Sequence, residues 1–387
     1  MALYKSLVKK VSIPADKKTK QKEYEEVGQL AIIDQGKKLI GGYTNNLNMQ
    51  LECALPVIIF GDHTCAVKYV DFPFGAGADG IKVLSPKDEV LPKYLFYGTQ
   101  YLTLRFPDRG YARHYQHIEK MDLRLPELGE QLRIVTRIEE LFSELDKGVE
   151  TLQTIKQQLE VYQQAVLNMA FEGTMMDSPI KALESLGGFI EKPRYGTSKK
   201  CDYFCDDDST PVYRIPNIDH FHGKIDKQDI KFAKFTEGEL RDLRLQNDDI
   251  LIIRSNGSVS LVGRAAIVKE FDIKGTFAGY LMRLRITDTS VISPRYLLYY
   301  LNTHTARVYI ESKAKSTSGV NNINSSEICG LKIPIVEYKE QVRIIDAIEL
   351  RLSVCDNINQ MVNTALSQAE AMRQSILKKA FEGELSE

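Results

Sequence analysis

The sequence predicts an α+β chain: two mixed α/β globular domains separated by two long helices, which pack as an antiparallel coiled coil within a pseudo-twofold internal repeat. Three observations carry this. Residues 130–173 align with residues 340–383 without a gap, at an offset of 210, with 17 identities in 44 positions, where ordinary composition gives roughly 3. Both copies place apolar or small residues in alternating steps of four and three, which is the seam of a coiled coil. The stretches before each copy, 1–126 and 177–330, read as short strands and helices broken by turns.

The helices come first in the argument. The first seam runs through Ile134, Ile138, Leu141, Leu145, Gly148, Leu152, Ile155, Leu159, Tyr162, Val166 and Met169. The second runs through Ile344, Ile348, Leu352, Cys355, Ile358, Val362, Ala365, Ala369, Met372 and Ile376. Neither copy contains proline, and Gly173 and Gly383 stand where a C-terminal cap belongs. A helix over 132–171 is roughly 60 Å long, longer than ordinary core helices. A seam needs a partner. A second chain or another protein could provide it, but the preferred expectation is the other copy in the same chain. Ile134, Ile138, Phe171, Ile344, Ile348 and Phe381 are the expected partner-helix residues. The organisation is therefore 1–126, first domain; 127–176, central helix; 177–330, second domain; 331–387, C-terminal helix.

In the second domain, Asp249–Ile253 reads as a strand entering the turn Arg254–Ser258, with further strands at Ala265–Val268 and Tyr280–Ile286. In the first, Pro56–Phe60, Ala66–Val70 and Ile81–Leu84 are the strands. Each domain then enters a helix through Pro-x-Tyr-Leu, at Pro92–Leu95 and Pro294–Leu297, an offset of 202. Residues 1–22 read as a basic, loose extension.

Charge is segregated, although the net value is only −1. Residues 1–126 carry a net +4 and 177–330 a net +2, while 127–176 carry −5 and 331–387 carry −2. Basic domains suit phosphate and acidic helices suit protein. Each domain also has a basic polar stretch before its helix: Arg105–His117, with Arg109, Tyr111, Arg113 and His114, and Lys313–Asn322, with Lys315, Ser316, Thr317, Asn321 and Asn322. Such stretches mix phosphate partners with side chains that can read base edges.

Chemistry-bearing motifs are missing. Phe74–Gly80 has the glycines of a nucleotide loop, but no Asn/Asp-Pro-Pro-aromatic motif accompanies it, and a flexible loop is expected there. The sequence contains no GxxxxGK[ST], GxSxG or HExxH. Cys201 and Cys205 lack a second pair at zinc spacing, so no metal is expected. Six cysteines in 387 residues make no disulfide scaffold. No stretch suits a membrane span or signal peptide, so a cytoplasmic location is expected. An enzyme is not expected. A coiled-coil scaffold with protein-binding ends remains the alternative.

The chain resembles the specificity subunit of type I restriction–modification enzymes. Three features carry the resemblance: the helix entrance in Leu125–Ile134, its recurrence in Ile333–Ile344, and the exit Ala-Phe-Glu-Gly at 170–173 and 380–383. Gly36-Lys37-Lys38 and Tyr195-Gly196-Thr197-Ser198 resemble the loop opening each recognition domain, and Val212–Ile218 resembles the strand that follows it. The first domain lacks an obvious match to that strand. The resemblance implies that each domain reads half of a bipartite, asymmetric site in double-stranded DNA. The helices would fix the spacer and dock two methylation subunits, which restriction subunits would join. S-adenosylmethionine, ATP and Mg²⁺ would sit on those partners, with no cofactor on this chain. The candidate DNA contacts are Lys37, Lys38, Tyr43, His63, Arg109, Tyr111, Arg113 and His114 in the first domain. In the second they are Tyr195, Thr197, Ser198, Lys199, Arg254, Asn256, Lys313, Lys315, Ser316, Thr317, Asn321 and Asn322.

Overall fold

The computed structural model describes residues 1–77, 80–105, 113–172, 180–317 and 319–385. The chain forms two compact units, Met1–Thr154 with Val362–Glu387, and Ile155–Met361. Each unit joins one globular domain to the N-terminal half of one long helix and the C-terminal half of the other.

The long helices run over Leu128–Phe171 and Tyr338–Glu382. The second ends in a left-handed glycine: Gly383 has φ +85°, and Glu384 N–H donates to the Lys379 carbonyl at 2.8 Å. This is the cap that the glycine's freedom from Cβ crowding permits; Gly173 lies outside the described residues. Within the first unit, Phe142 and Asp146 face Arg373 while Ile134 and Ile138 share a core with Ala380 and Phe381. Numbers rise along one helix as they fall along the other, so the halves are antiparallel. The second unit repeats this, with Leu167, Ala170 and Phe171 against Ile344, Ile348 and Leu352.

The seam departs from expectation at symmetric points. Tyr162 and Met372, 210 apart, are 48% and 58% exposed, and Met169 is 45% exposed. Leu167, Ala170 and Phe171, with their counterparts Leu377, Ala380 and Phe381, are buried instead. An α-helix gains about 20° per heptad on a strict seven-residue pattern, so the buried stripe rotates away from the seam toward the helix end.

The two domains share a frame. In the first, a four-stranded antiparallel sheet has the order Val8–Val11, Ile81–Pro86, Val57–Gly61, Val67–Val70. In the second, Arg194–Tyr195, Leu281–Leu284, Ile250–Ile253 and Ala265–Ile267 take the same order and sense, extended by Lys224–Ile225 and Ile218–Asp219. A second sheet in the first domain sets Phe74–Gly77 parallel to Leu30–Ile33, which pairs antiparallel with Gly42–Thr44. Its counterpart sets Thr276–Phe277 parallel to Ser209–Tyr213, which pairs antiparallel with Lys231–Lys234. Leu30–Ile33 is therefore the topological match to the strand ending at Tyr213, which the first domain had seemed to lack. A run of Leu-Ala-Ile-Ile carries no motif by which sequence could find it.

Two other expectations are corrected. Residues 1–22 are built in: Ala2–Leu3 pairs with Asp122–Leu123, Val8–Val11 pairs with Ile81–Pro86, and Tyr4 is fully buried with its hydroxyl 2.7 Å from Thr99 Oγ1. Phe74–Gly77 is a buried strand and not a loop. A Cβ on Gly75 would stand 2.6 Å from Ile32 Cδ1, and one on Gly77 would stand 2.7 Å from the Tyr24 hydroxyl. Those glycines serve close strand packing.

All six cysteines are free. Among the described residues no helix is long and apolar enough to cross a membrane, and no cluster of His, Cys, Asp and Glu could hold a metal ion.

Candidate nucleic-acid interface

In the second unit, Ile250–Ile253 is fully buried, and the chain emerges from it as Arg254, Ser255 and Asn256. Ser255–Asn256 pairs with Val320–Asn322, which pairs with Lys315–Thr317. These three short strands contain no carboxylate, so they bring no acid to repel phosphate. The Arg254 guanidinium stands 4.3 Å over the Tyr195 ring and donates to the Gly279 carbonyl at 3.2 Å. The Tyr195 hydroxyl accepts from Ser325 N–H at 3.0 Å. Asn321 Nδ2 donates to the Gly257 carbonyl at 2.9 Å, and Asn256 Oδ1 accepts from Ser258 N–H at 2.8 Å. The candidates Tyr195, Arg254, Asn256, Asn321 and Asn322 are thus brought together, with the backbone of Lys315, Ser316 and Thr317 beside them.

The remaining candidates of this domain stand differently. Lys313 is exposed, its Nζ 5.7 Å from the Tyr309 ring. Thr197 N–H donates to the Phe277 carbonyl, and its hydroxyl accepts from Lys199 N–H at 3.1 Å; Ser198 is exposed. Lys199 is engaged within the chain: its ammonium pairs with Glu239 at 2.7 Å, donates to the Lys234 carbonyl and stands 5.0 Å over Phe235. Sequence reading missed Tyr280, 62% exposed, whose carbonyl accepts from Arg254 N–H. Its place in an apolar run disguised it. Asp249 is structural: Arg285 grips both its oxygens at 2.7 Å, which holds the guanidinium above its ordinary pKa.

In the first unit, Lys37 and Lys38 are exposed on the turn after Asp34. That aspartate is anchored by Lys68, whose buried ammonium donates to its carbonyl at 2.7 Å. Burial lowers the Lys68 pKa, and Asp34 opposes the shift. Thr64 Oγ1 donates to the Gln35 carbonyl at 2.5 Å, tying this turn to the one that carries half-buried His63. Asp62 accepts Tyr115 N–H at 2.9 Å, and its carbonyl accepts His114 N–H at 2.8 Å. The 34–38, 61–66 and 113–115 segments therefore meet. Arg113 is exposed and Tyr43 half-buried. His114 is a correction: it is 2% exposed, because the chain turns inward there to seat Tyr115, and it offers no surface to a ligand. Arg109 and Tyr111 lie outside the described residues.

The partner-helix candidates are all buried. Ile134, Ile138 and Phe381 belong to the first unit's core, and Phe171, Ile344 and Ile348 to the second's. They face their domain as well as the opposite helix: Phe381 lies 5.0 Å from the Tyr94 ring, and Phe171 lies 4.8 Å from the Tyr296 ring.

Residues 183–368, which include the Arg254 surface, match the family model of the type I restriction modification DNA specificity domain. The chain is similar to the specificity subunits of type I restriction–modification systems. It is 31% identical over 274 residues to the type I restriction enzyme StySPI specificity subunit of Salmonella potsdam, and 29% identical over 276 residues to the EcoKI specificity subunit of Escherichia coli K12. Each alignment takes in 69% of this chain and spans 58% of the relative's length. A structure solved in a study of assembly and conformational transition of the type I R-M system matches with a TM-score of 0.68 at 16% identity, over 99% of this chain and 97% of that one. At that identity the match speaks for the fold.

Proposed function

We propose that this chain is the non-catalytic DNA-recognition subunit of a type I restriction–modification complex. Each unit reads one half of a bipartite, asymmetric site. The long helices, which pass from one unit into the other, set the count of unread base pairs and dock two methylation subunits. Restriction subunits join that assembly. S-adenosylmethionine, ATP and Mg²⁺ belong to the partners, and the complex works on cellular DNA in the cytoplasm.

The observation that carries this reading is the gathering of Tyr195, Arg254, Asn256 and Asn321 beside three short strands free of carboxylates, inside the segment that matches the DNA specificity domain. Its Arg and Asn side chains suit base edges. The test is methylome sequencing of the host with and without the gene, and with residues 177–330 exchanged for those of another family member. Deletion should abolish one bipartite methylated motif, and the exchange should alter one half-site only. A motif that survives deletion would refute the proposal. In the purified complex, Arg254→Ala should weaken binding at one half-site by about 1–3 kcal/mol.

A further inference from the structure

Each unit contains a groove, and the two grooves are copies. The first, of about 500 Å³, is lined in part by Tyr97, Glu139, Phe142, Asp146 and Arg373. The second, of about 470 Å³, is lined in part by Tyr299, Glu349, Leu352, Asp356 and Gln163. The repeat offsets of 202 for the tyrosine and 210 for the others convert one set into the other.

The first groove holds a cation from its own chain. The Arg373 guanidinium stands 4.3 Å over the Phe142 ring and pairs with Asp146. Below it, the Tyr97 hydroxyl donates to Glu139 at 3.4 Å, and Lys93 pairs with the same carboxylate at 2.6 Å. The second groove keeps the acids and their lower layer. The Tyr299 hydroxyl donates to Glu349 at 3.2 Å, Arg295 pairs with Glu349 at 2.9 Å, and Asp356 stands where Asp146 stands in the first. The change is at the cation, where Gln163 replaces arginine. Burial first, with Glu349 and Asp356 adding and Arg295 opposing, pushes the Tyr299 phenol well above its ordinary pKa, as burial and Glu139 do for Tyr97 in the first groove. Of the cations on the far wall, Arg264 is committed to Asn302 Oδ1 at 2.8 Å, and Lys224 lies on the hairpin strand. That hairpin also brings Phe221, 78% exposed, to the groove. The first groove has no such aromatic anchor from a hairpin.

We propose that the second groove is a docking site for a protein partner that inserts an arginine beside Asp356, in the manner of Arg373 beside Asp146, with Phe221 packing against the partner's surface. Charge complementarity and the filled copy of the same groove define the occupant. The inference rests on the reading of this chain as a subunit that docks methylation subunits, and the partner is taken to be one of them.

The test titrates the full chain with the methylation subunit of its own system, followed by calorimetry. Q163R supplies the groove with its own arginine, and D356N removes the exposed acid. Each should weaken one of the two binding events at least tenfold, while R373Q leaves that event unchanged. Q163R should hold or raise the melting temperature, which shows that the loss is not unfolding. If the wild-type chain binds the subunit and both variants bind within twofold of it, the groove assignment is overturned and the proposed function stands. If the wild-type chain binds no methylation subunit, both fall.

Discussion

The two units share a joint between domain and helix but differ in the surfaces they turn outward. The joint repeats atom for atom. In the first unit the fully buried Gln131 side chain accepts Leu91 N–H at 2.9 Å and donates to the Glu89 and Pro126 carbonyls, both at 2.9 Å. In the second, Gln341 accepts Ser293 N–H at 2.9 Å and donates to the Val291 carbonyl at 2.8 Å and the Val336 carbonyl at 3.3 Å. The outward parts do not repeat. Only residues 34–41 separate the Leu30–Ile33 strand from its partner at Gly42, while the second domain places an additional hairpin, Ile218–Ile225, between Tyr213 and Lys231. Among the described residues, the three-stranded sheet of Ser255–Asn256, Val320–Asn322 and Lys315–Thr317 is also found in the second domain alone. The joint is thus the same in both units while the outward surfaces differ, which under the proposed function lets one scaffold carry two specificities.

The largest predicted effect tests whether the joint is equivalent in energy as well as geometry. Phe381 packs against Tyr94 and Tyr101, at 5.0 and 5.4 Å, and Phe171 against Tyr296 and Tyr300, at 4.8 and 5.3 Å. Truncating a buried phenylalanine costs about 3–5 kcal/mol through lost transfer energy and the cavity left behind. Phe381→Ala and Phe171→Ala should each fall in that range in urea unfolding. A difference between them above about 2 kcal/mol would break the equivalence.

The joint was legible in sequence because it is made of repeated identities: Glu130-Gln131 over Glu340-Gln341, and Ala170-Phe171 over Ala380-Phe381. The α+β class and the antiparallel helices followed from that repeat and its spacing. What stayed hidden depended on contacts distant in sequence. The strand Phe74–Gly77 looks like a loop until Ile32 and Tyr24 are seen against its glycines. His114 looks like a contact residue until the chain around Asp62 is seen to draw it inside. Lys199 looks free until Glu239 is found 2.7 Å away. The gathering of Tyr195, Arg254 and Asn321 depends on pairings between strands more than 60 residues apart, and no local pattern encodes it.

A smaller loss is expected at the glutamine clamp. Gln131→Leu or Gln341→Leu leaves one backbone N–H and two carbonyls without their partner. An unsatisfied buried polar group costs about 1–3 kcal/mol, and the apolar replacement fills part of the volume, so a net loss of about 2–4 kcal/mol is expected. The Gln341 variant should be the more costly. Its bond to Ser293 N–H is buried, whereas that to Leu91 N–H is only part-buried and water can replace some of what is lost. Equal melting losses in the two variants would show that water does not reach the first joint.

The tyrosines beneath the clamp come next. Tyr94 donates its hydroxyl to the Arg124 carbonyl at 2.6 Å, and Tyr296 donates to the Pro334 carbonyl at 3.0 Å. Phenylalanine at either position removes one hydrogen bond and little volume, so about 1 kcal/mol is expected from each.

The smallest effect lies at the surface of the joint, where Lys93 pairs with Glu139 at 2.6 Å and Arg295 with Glu349 at 2.9 Å. The cationic side chains are 49% and 52% exposed, so solvent screens both pairs and each contributes about 0–1 kcal/mol. The hydrogen bond to Glu139 raises the Lys93 pKa above its ordinary value. For a group whose folded pKa is raised, the contribution is complete below the unfolded pKa and disappears as pH climbs through the folded one. The cost of Lys93→Ala should therefore be constant through neutral pH and vanish in the alkaline range above the ordinary lysine pKa. A stability difference between Lys93→Ala and wild type that persisted there would mean that the lysine's methylene stem, packed along the helix, and not its charge, is what the joint uses.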